Sequence, residues 1–518
     1  MDRPIASLQP DCARLILRYM DAPETVVGFL RTLAPHSLDA TLAALVELVG
    51  FLPLRDVWPA LHLRTFMLPR TLDRVVGALP LYDTVHVYDR RHVHAFDARR
   101  LVLHPSLEPS TAWPPLEAAA TSIVGLECNA NTSTPMTFEL VLGALATCPR
   151  LVSLHLQITT AQSDGVRALL AGLPTTPLLS DVRLHKLEAS EVQLLPDTSV
   201  QHVASWLGSR HVTRLELRSI DAESPAAAAT LSEALLASAT IKTLALVNTA
   251  TFAQALLAAN GPLPTTLRHL ELGSNQLPVS PTPRFQLLHD TVLTSLDLNG
   301  TYLDHDGLQA LAALLFSLRH LEALDLSAVL PHSGRMDTAY LAHDNRQSQL
   351  LAEILRHLPQ LTTLRLARNG VQDADMALLV PALPRCLGVL DVSANQIKNA
   401  GLALLRADAM PRLRVLHLKS NAFSNEGARR FSQRLSQWSS LTELSFLGRD
   451  MDMYGITMLL TALSTCSQPL MRLDVGGSCC RRANDTTKIS EAARRLGLID
   501  RKPVFCKRLR TERLAFSY

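Results

Sequence analysis

The sequence predicts an α/β solenoid, a stack of similar units that each contain one strand and one helix. The first observation is a fixed period, because the pattern apolar-x-x-apolar-x-apolar recurs at intervals of 26 to 29 residues, with two longer intervals of 33 and 40. Such a period is typical of solenoids. The second is composition, since 47% of the 518 residues are hydrophobic but only 5% are aromatic, which indicates an aliphatic core of small repeated layers. The pattern begins at Ile123, Leu151, Leu179, Val212, Ile241, Leu267, Leu293, Leu321, Leu361, Leu387, Leu413, Leu441 and Leu470.

Within each unit the hydrophobic spacing changes from two residues to the spacing of a helix. "LRHLELGSN" alternates, which predicts a short strand with Leu270 and Leu272 pointing into the core. "GLQALAALLFSL" has its apolar residues three and four apart, which predicts a helix. Each unit is therefore a strand, a turn, a helix and a return.

Asparagine and glycine mark the turn that follows the strand. A buried Asn there can satisfy backbone groups, and stacked copies would form a ladder. Six residues later comes a glycine, which we interpret as permitting a tight backbone at the start of the helix. The asparagines are Asn131, Asn275, Asn369, Asn395 and Asn421, and the glycines are Gly165, Gly307, Gly401, Gly427 and Gly455. Several units lack the Asn and have Thr159, Leu187, Ile220, Thr249, Thr301, Val329 or Arg449 instead, which predicts a ladder broken in the first half.

This repeat, L-x-x-L-x-L-x-x-N followed by a helix that opens near a glycine, resembles the leucine-rich repeats of the ribonuclease-inhibitor type. The resemblance covers about thirteen repeats in residues 121–480. It implies a right-handed horseshoe with a parallel inner sheet and outer helices.

Residues 1–60 predict a small helical unit, with helices over Asp11–Met20, Pro23–Leu33 and Ser37–Phe51. The first of them resembles the opening helix of an F-box, which docks substrate receptors onto the adaptor of cullin-RING ubiquitin ligases. The basic third helix of that family has no clear match, and Trp58 comes late. A plain amino-terminal cap is therefore the alternative. The residues that the resemblance marks for docking are Leu8, Pro10, Ile16, Leu17 and Tyr19.

Two segments flank the array. In residues 61–120, "TVHVYD" and "RRLVLH" predict strands of degenerate repeats. His92 and His94 would share a strand face, but no spacing marks a third ligand, so we predict no metal site. In residues 481–518, "ISEAARRL" predicts a cap helix, and "CKRLRTER" is either a nuclear-localisation signal or a solvated basic tail.

The strand residues between the buried anchors should face the concave side, where a partner would bind. Acidic residues are frequent there, which favours a basic partner surface. The alternative is that Asp is simply a polar residue suited to an exposed strand. A long insertion at residues 330–347 adds a second candidate surface. The candidates are Arg183, Glu216, Glu271, Asp297, Asp325, Arg365, Asp391 and His417 on the strands, and Tyr340, His343, Asp344 and Arg346 in the insertion.

No catalytic or cofactor-binding motif is recognisable, so we expect a protein-interaction module without enzymatic activity and without a cofactor. It would serve as a substrate receptor of a cullin-RING ligase, or as a plain scaffold or inhibitor. A third alternative is a regulator of a small GTPase, because a Ran GTPase-activating protein uses this repeat type. The eight cysteines show no disulfide spacing, and the formal charge of +3 is near neutral. With no apolar run of about 18 residues, we expect a cytoplasmic or nuclear protein that binds neither membrane nor nucleic acid.

Overall fold

The structure is a computed structural model, and it divides the chain into two compact units, Met1–Leu215 and Glu216–Tyr518. The residues that it describes are 9–17, 20, 23–33, 38–63, 69–88, 100–104, 116–128, 138–159, 163–187, 191–208, 211–259, 261–275, 292–301, 303, 305–329, 345–466, 470, 472–475, 489, 491–496 and 504–505.

The first unit begins with helices and continues as strands that alternate with helices. Its helices are α1 (Pro10–Leu17), α2 (Pro23–Thr32), α3 (Ala40–Phe51), α4 (Leu54–Val57), α5 (Pro69–Ala78), α6 (Phe138–Thr147), α7 (Ser163–Gly172) and α8 (Asp197–Leu207). Its strands are β1 (Leu61–Leu63), β2 (Thr84–Val87), β3 (Arg100–Leu103), β4 (Ile123–Cys128), β5 (Ser153–Ile158), β6 (Asp181–Lys186) and β7 (Gln193–Leu195), and β8 (Arg214–Arg218) crosses the boundary between the units.

The three helices predicted near the amino terminus are present, with shorter ends. The third begins at Ala40 and not at Ser37, because Asp39 is its N-cap and accepts a hydrogen bond from the Leu42 N–H at 2.9 Å. Strands also occur at the two places predicted in the transition segment. They belong to one parallel sheet, β1 to β6 in chain order, so the stack of strands begins at Leu61, within the segment where degenerate repeats are predicted.

The second unit is a regular series of strand and helix. Its strands are β9 (Ile220–Ala222), β10 (Thr243–Val247), β11 (His269–Glu271), β12 (Ser295–Asp297), β13 (Ala323–Asp325), β14 (Thr363–Arg365), β15 (Val389–Asp391), β16 (Val415–His417), β17 (Asn421–Ser424), β18 (Glu443–Ser445), β19 (Gly448–Asp450), β20 (Arg472–Asp474) and β21 (Val504–Phe505). Its helices are α9 (Pro225–Ala237), α10 (Ala250–Ala258), α11 (His305–Leu315), α12 (Asn345–His357), α13 (Asp373–Leu379), α14 (Asn399–Leu404), α15 (Asn425–Gln433) and α16 (Met453–Thr465). Residues 491–495 are helical within the predicted cap, and the basic tail lies outside the described residues.

The predicted anchors form the core of this unit. Leu296, Leu298, Leu416 and Leu418 are each at most 1% exposed. Equivalent anchors pair across neighbouring strands, as Leu390 does with Leu416. Every strand from β10 to β16 is parallel to the next and in register with it. The prediction of an α/β leucine-rich-repeat solenoid is confirmed. None of the helices that the structure describes has the length and apolar character needed to span a membrane.

The asparagine ladder is present where the predicted residues are described. Asn395 is fully buried and donates from Nδ2 to the carbonyls of Leu366 and Val392, both at 2.9 Å. Its Oδ1 accepts from the N–H groups of Asn369 at 2.9 Å and Val371 at 3.1 Å. One side chain therefore joins consecutive repeats. Asn275, Asn369 and Asn421 are likewise buried and bonded, and Asn131 lies outside the described residues.

Threonine substitutes for asparagine at one of the departures. Thr301 is fully buried and its hydroxyl donates to the Leu272 carbonyl at 2.8 Å, 29 residues earlier in the chain. Asn395 makes the equivalent bond to Leu366, also 29 residues earlier. A threonine thus keeps one of the hydrogen bonds of the ladder, so the predicted break is incomplete at this repeat.

The glycine at the helix start has a different cause from the one predicted. A Cβ on Gly427 would lie 2.3 Å from Oδ1 of Asn399, and one on Gly401 would lie 2.4 Å from Oδ1 of Asp373. The backbone there is not in the left-handed region. The glycine leaves room for a polar side chain of the preceding repeat, which itself accepts a backbone N–H of the next repeat, as Asn399 does from Ser424 at 3.0 Å. This makes a second ladder, parallel to that of the buried asparagines.

Left-handed backbone occurs elsewhere, at the residue directly before the ladder position. Ala394 has φ 54°, Ser420 62° and Ala328 54°. Gly300 occupies the equivalent place in its repeat with φ 72°. A residue with a Cβ is strained there.

Candidate functional site

The candidate site in the second unit is a continuous row of side chains along its parallel sheet. Register pairs each member with the next, since Ala245 lies beside Glu271, Glu271 beside Asp297, and Asp297 beside Asp325. The neighbouring residues in each strand are the buried anchors, so these side chains point to the opposite face. We call this set the polar row: Ala245, Glu271, Asp297, Asp325, Arg365, Asp391, His417, Ser445 and Asp474.

The aspartates of the polar row have a structural task that sequence analysis did not foresee. Oδ1 of Asp297 accepts the N–H of Asn299 at 2.8 Å, and Asp325 does the same for Ser327 at 2.8 Å. Asp391 accepts both the N–H of Ser393 at 2.9 Å and its hydroxyl at 2.5 Å. Each carboxylate therefore holds the turn after its strand, which explains part of the frequency of Asp at this position.

Basic side chains offset part of the acidic charge. Arg218 forms a bidentate pair with Glu271, at 2.6 and 2.5 Å. Lys419 lies 2.5 Å from Asp474, and Arg365 lies 3.8 Å from Asp325. Arg218 and Lys419 are two residues beyond members of the predicted row, and the period of a strand could have identified them.

Asp297 lies in the middle of the acidic part of the row and has a perturbed acidity. Its pKa is raised from 3.8 to about 6, chiefly by burial and also by the neighbouring carboxylates of Asp325 and Glu271, while the N–H of Asn299 and the charge of Arg365 act in the opposite direction. Near pH 6 the carboxyl group of Asp297 would therefore be protonated in about half of the molecules.

The remaining strand candidates have separate surroundings. Arg183, in the first unit, binds the carboxylate of Asp181 through two nitrogens at 3.0 and 2.8 Å. In the second unit, His417 contacts the Ser445 hydroxyl at 2.9 Å, and Glu216 lies 3.8 Å from Arg218. Of the insertion candidates, Arg346 is exposed near the start of α12, while Tyr340, His343 and Asp344 lie outside the described residues.

The adaptor-docking candidates require one correction. Leu17 is fully buried, so it is a core residue of the helical unit and cannot dock a partner. Ile16 is 36% exposed, and its neighbour Leu15, which was not predicted, is 56% exposed. Pro10 is the first residue of α1, and Leu8 and Tyr19 lie outside the described residues.

A group of metal-ligating side chains lies on the sheet of the first unit. His86, His104 and Glu127 each offer one ligand atom, and these atoms all lie within 4.8 Å of one another. His86 Nδ1 is 2.7 Å from His104 Nε2, and His104 Nδ1 is 3.4 Å from Glu127 Oε2. The histidine pair considered from the sequence, His92 and His94, lies outside the described residues.

Comparison with known proteins found three kinds of similarity. A family model described as "Leucine Rich repeat" matches residues 410–432. Fibromodulin from Sus scrofa is 31% identical over 145 residues, which is 27% of this chain and 92% of that protein, and fibromodulin from Oryctolagus cuniculus is 31% identical over 147 residues, with the same coverage. An internalin structure (inlF) from Listeria monocytogenes is 15% identical with a TM-score of 0.33, covering 79% of this chain and 94% of the internalin. The repeated strand anchors, the asparagine ladder and the similarity to fibromodulin show that the chain belongs to the leucine-rich repeat family.

Proposed function

We propose that the chain is a non-enzymatic interaction protein that binds the basic surface of a protein partner on the polar row. The observation that carries this proposal is the register of β11, β12 and β13, which sets Glu271, Asp297 and Asp325 side by side on one face. Ala245, Arg365 and His417 hold the same register position, so the strand does not require an acid there. Three successive acids therefore favour a functional cause.

The raised pKa of Asp297 supports the same proposal. Three carboxylates in neighbouring strands repel one another, and burial adds to the free energy of charging the central one. A basic partner group would relieve both effects. Binding would then be stronger above pH 6 than below it. It would also weaken with salt, because ions screen the attraction between the row and a basic partner beyond about 10 Å at 0.1 M ionic strength.

The experiment uses changes that remove charge but keep the turn bonds. In a triple variant with Asp297→Asn, Asp325→Asn and Asp391→Asn, each amide oxygen can still accept the backbone N–H that the carboxylate accepts. Partners are captured from cell extract with the full chain and identified, and the affinity of each purified partner is then measured. The affinity of the triple variant for the partner should be lower by about tenfold or more, since close charge pairs at interfaces contribute about 1.5 kcal/mol or more.

The matched control removes three exposed acids from the second unit away from the row, with Glu233→Gln, Glu353→Gln and Asp408→Asn. Glu233 lies on α9 and Glu353 on α12. This control should bind as the native chain does. Equal affinity of the row variant and the control for every captured partner would refute the proposal.

The amino-terminal helices support a second candidate function, an F-box-like unit that docks onto the adaptor of a cullin-RING ligase. The supporting observation is the exposure of Leu15 and Ile16 on α1, two apolar side chains that a partner would cover. The repeats, of the ribonuclease-inhibitor type, would then bind the substrate of the ligase. Cys12, Cys128, Cys386 and Cys466 are free thiols, which fits a cytoplasmic or nuclear site of action.

The double change Leu15→Asp and Ile16→Asp tests this function. It should abolish co-purification of the ligase adaptor with the full chain. Val76→Asp is the control, because Val76 is 49% exposed on α5 of the same unit. If the adaptor does not co-purify with the native chain, or if it stays bound to the double variant, the chain does not act as an F-box protein.

A further inference from the structure

Histidines and one glutamate lie on one face of the sheet of the first unit, because successive side chains of a strand point to opposite faces. The first two strands each place buried aliphatic residues on one face and a histidine on the other. His62 lies between buried Leu61 and Leu63, His86 between Val85 and Val87. Register sets His62 beside His86. His104 directly follows β3, and Glu127 lies on β4, where Leu103 is paired with Leu126. His104 and Glu127 thus occupy neighbouring positions at the same level of the sheet.

The contacts in this group link three strands. His104 is only 6% exposed, and its two ring nitrogens face different partners, Nε2 toward His86 Nδ1 at 2.7 Å and Nδ1 toward Glu127 Oε2 at 3.4 Å. The His62 ring stacks on His86 with centroids 4.3 Å apart, and the Tyr88 ring stacks on His104 at 4.1 Å. The Tyr88 hydroxyl lies 3.0 Å from Nδ1 of His62. These rings fix the orientation of both histidines.

The short distance between His86 and His104 limits the protons that the pair can hold. Two ring nitrogens 2.7 Å apart share one proton, because a proton on each would bring two N–H groups into direct repulsion. A metal ion accepts lone pairs from both nitrogens and needs no proton between them.

The distances suit a transition metal. Zinc binds imidazole nitrogen at about 2.0–2.1 Å and carboxylate oxygen at about 2.0–2.2 Å, so ligand atoms in a tetrahedral site lie about 3.4 Å apart. One ligand atom from each of the three residues lies within 4.8 Å of the other two, a range that includes this spacing. His104 would bind the ion through one ring nitrogen only, so its contacts with His86 through Nε2 and with Glu127 through Nδ1 would not both be kept. Two imidazoles and a carboxylate favour zinc and its neighbours over magnesium or calcium, which prefer all-oxygen sites.

We propose that His86, His104 and Glu127 bind one divalent transition metal ion, of the zinc class, on the sheet of the first unit. Three protein ligands leave a coordination position for water or for a side chain of a partner. The ion would join β2, β3 and β4, where the repeats are most degenerate. His62 and Tyr88 would position the two ligating rings. The site is separate from the polar row, so either proposal can stand without the other.

Zinc and cobalt are the probes for the test. The full chain is freed of metal with a chelator, and zinc binding is measured by titration calorimetry in excess magnesium. The native chain should bind one zinc ion and gain thermal stability, because a ligand that binds only the folded state stabilises it. Cobalt at the same site should give the visible absorption of a nitrogen- and oxygen-ligated ion, which zinc then displaces.

Zinc affinity should fall by more than about 100-fold in each of the variants Glu127→Gln, His86→Gln and His104→Gln, because loss of even a residue that only hydrogen-bonds to a ligand lowers affinity by about 10–100-fold. His185→Gln is the matched control. His185 is in the same unit and lies 3.4 Å from His155, so it also belongs to a histidine pair, but it is not in the proposed set.

Glu127→Gln carries the decision if a histidine variant fails to fold, because Gln has the same size and circular dichroism will show whether that variant is intact. Saturable zinc binding that Glu127→Gln abolishes and His185→Gln keeps supports the site. The proposal is overturned if the native chain binds no zinc, or if a folded Glu127→Gln binds it as tightly as the native chain.

Discussion

Replacing Asn395 by alanine should break the ladder at one known place. The side chain is fully buried, and its Oδ1 accepts the N–H groups of Asn369 and Val371. Without it those two donors have no acceptor from this residue, at about 1–3 kcal/mol each. The carbonyls of Leu366 and Val392 also lose a donor but retain other lone pairs. We therefore expect Asn395→Ala to destabilise the second unit by about 4 kcal/mol.

Hydrogen exchange with mass spectrometry checks both the size and the place of this effect. Peptides that contain the amides of Asn369 and Val371 should lose protection, and urea unfolding should begin at a lower concentration. Asn395→Thr should fall between the native chain and the alanine variant, because the hydroxyl of Thr301 keeps the equivalent bond in its own repeat. The reasoning is refuted if exchange at these two amides does not change, or if threonine is no better than alanine.

Three further predictions concern strain, space and pH. Ala394→Gly should stabilise the second unit by about 1 kcal/mol in urea unfolding, because Ala394 has φ 54° and the left-handed conformation costs an L-residue about 1–2 kcal/mol. Gly427→Ala should lower stability by about 1–3 kcal/mol, since its Cβ would lie 2.3 Å from Asn399, whereas Gly143→Ala, in open space, should not. Asp297 retains its proton to about pH 6 in the folded chain but only to about pH 4 unfolded, so its contribution to stability is lost as pH rises from 4 to 6. Asp297→Asn should therefore gain stability relative to the native chain over that window, by about 1 kcal/mol after allowance for solvent screening, and by a constant amount above it; a gain that is the same at pH 4 and pH 7 would contradict the shifted pKa.

The sequence was sufficient for the features that burial imposes. Anchors such as Leu296 and Leu416 must be apolar at every turn of the array, and Asn395 must be able both to donate and to accept, so these types recur at a fixed spacing. The position of the glycine at the helix start was predicted correctly, but the reason for it was not. A close approach between Gly427 and Asn399 of the preceding repeat depends on how adjacent repeats stack, which one repeat alone does not reveal.

The missed contacts have the same origin. Arg218 reaches Glu271 from a distance of 53 residues in the chain, and Ala245, the small residue beside Glu271 in the sheet, leaves space for the long side chain. The histidine group was missed because each strand contributes only one residue. His92 and His94 are two residues apart, a spacing that predicts a shared strand face, whereas His86 and His104 become neighbours only when two degenerate strands are paired.

The aspartates of the polar row hold turns as well as carrying charge, so the choice of substitution matters there. Asp391 uses Oδ1 to hold the turn through Ser393, so an alanine there removes both a charge and a turn bond. Loss of binding in such a variant would not distinguish recognition from misfolding. An asparagine separates the two, since its amide oxygen can accept the same N–H while the charge is gone. Because the fold itself uses one oxygen of Asp297, Asp325 and Asp391, the proposed recognition would depend on the other oxygen of each. It would also depend on the flanking charges of Arg365 and Arg218, so a partner would have to match the order of charges along the row.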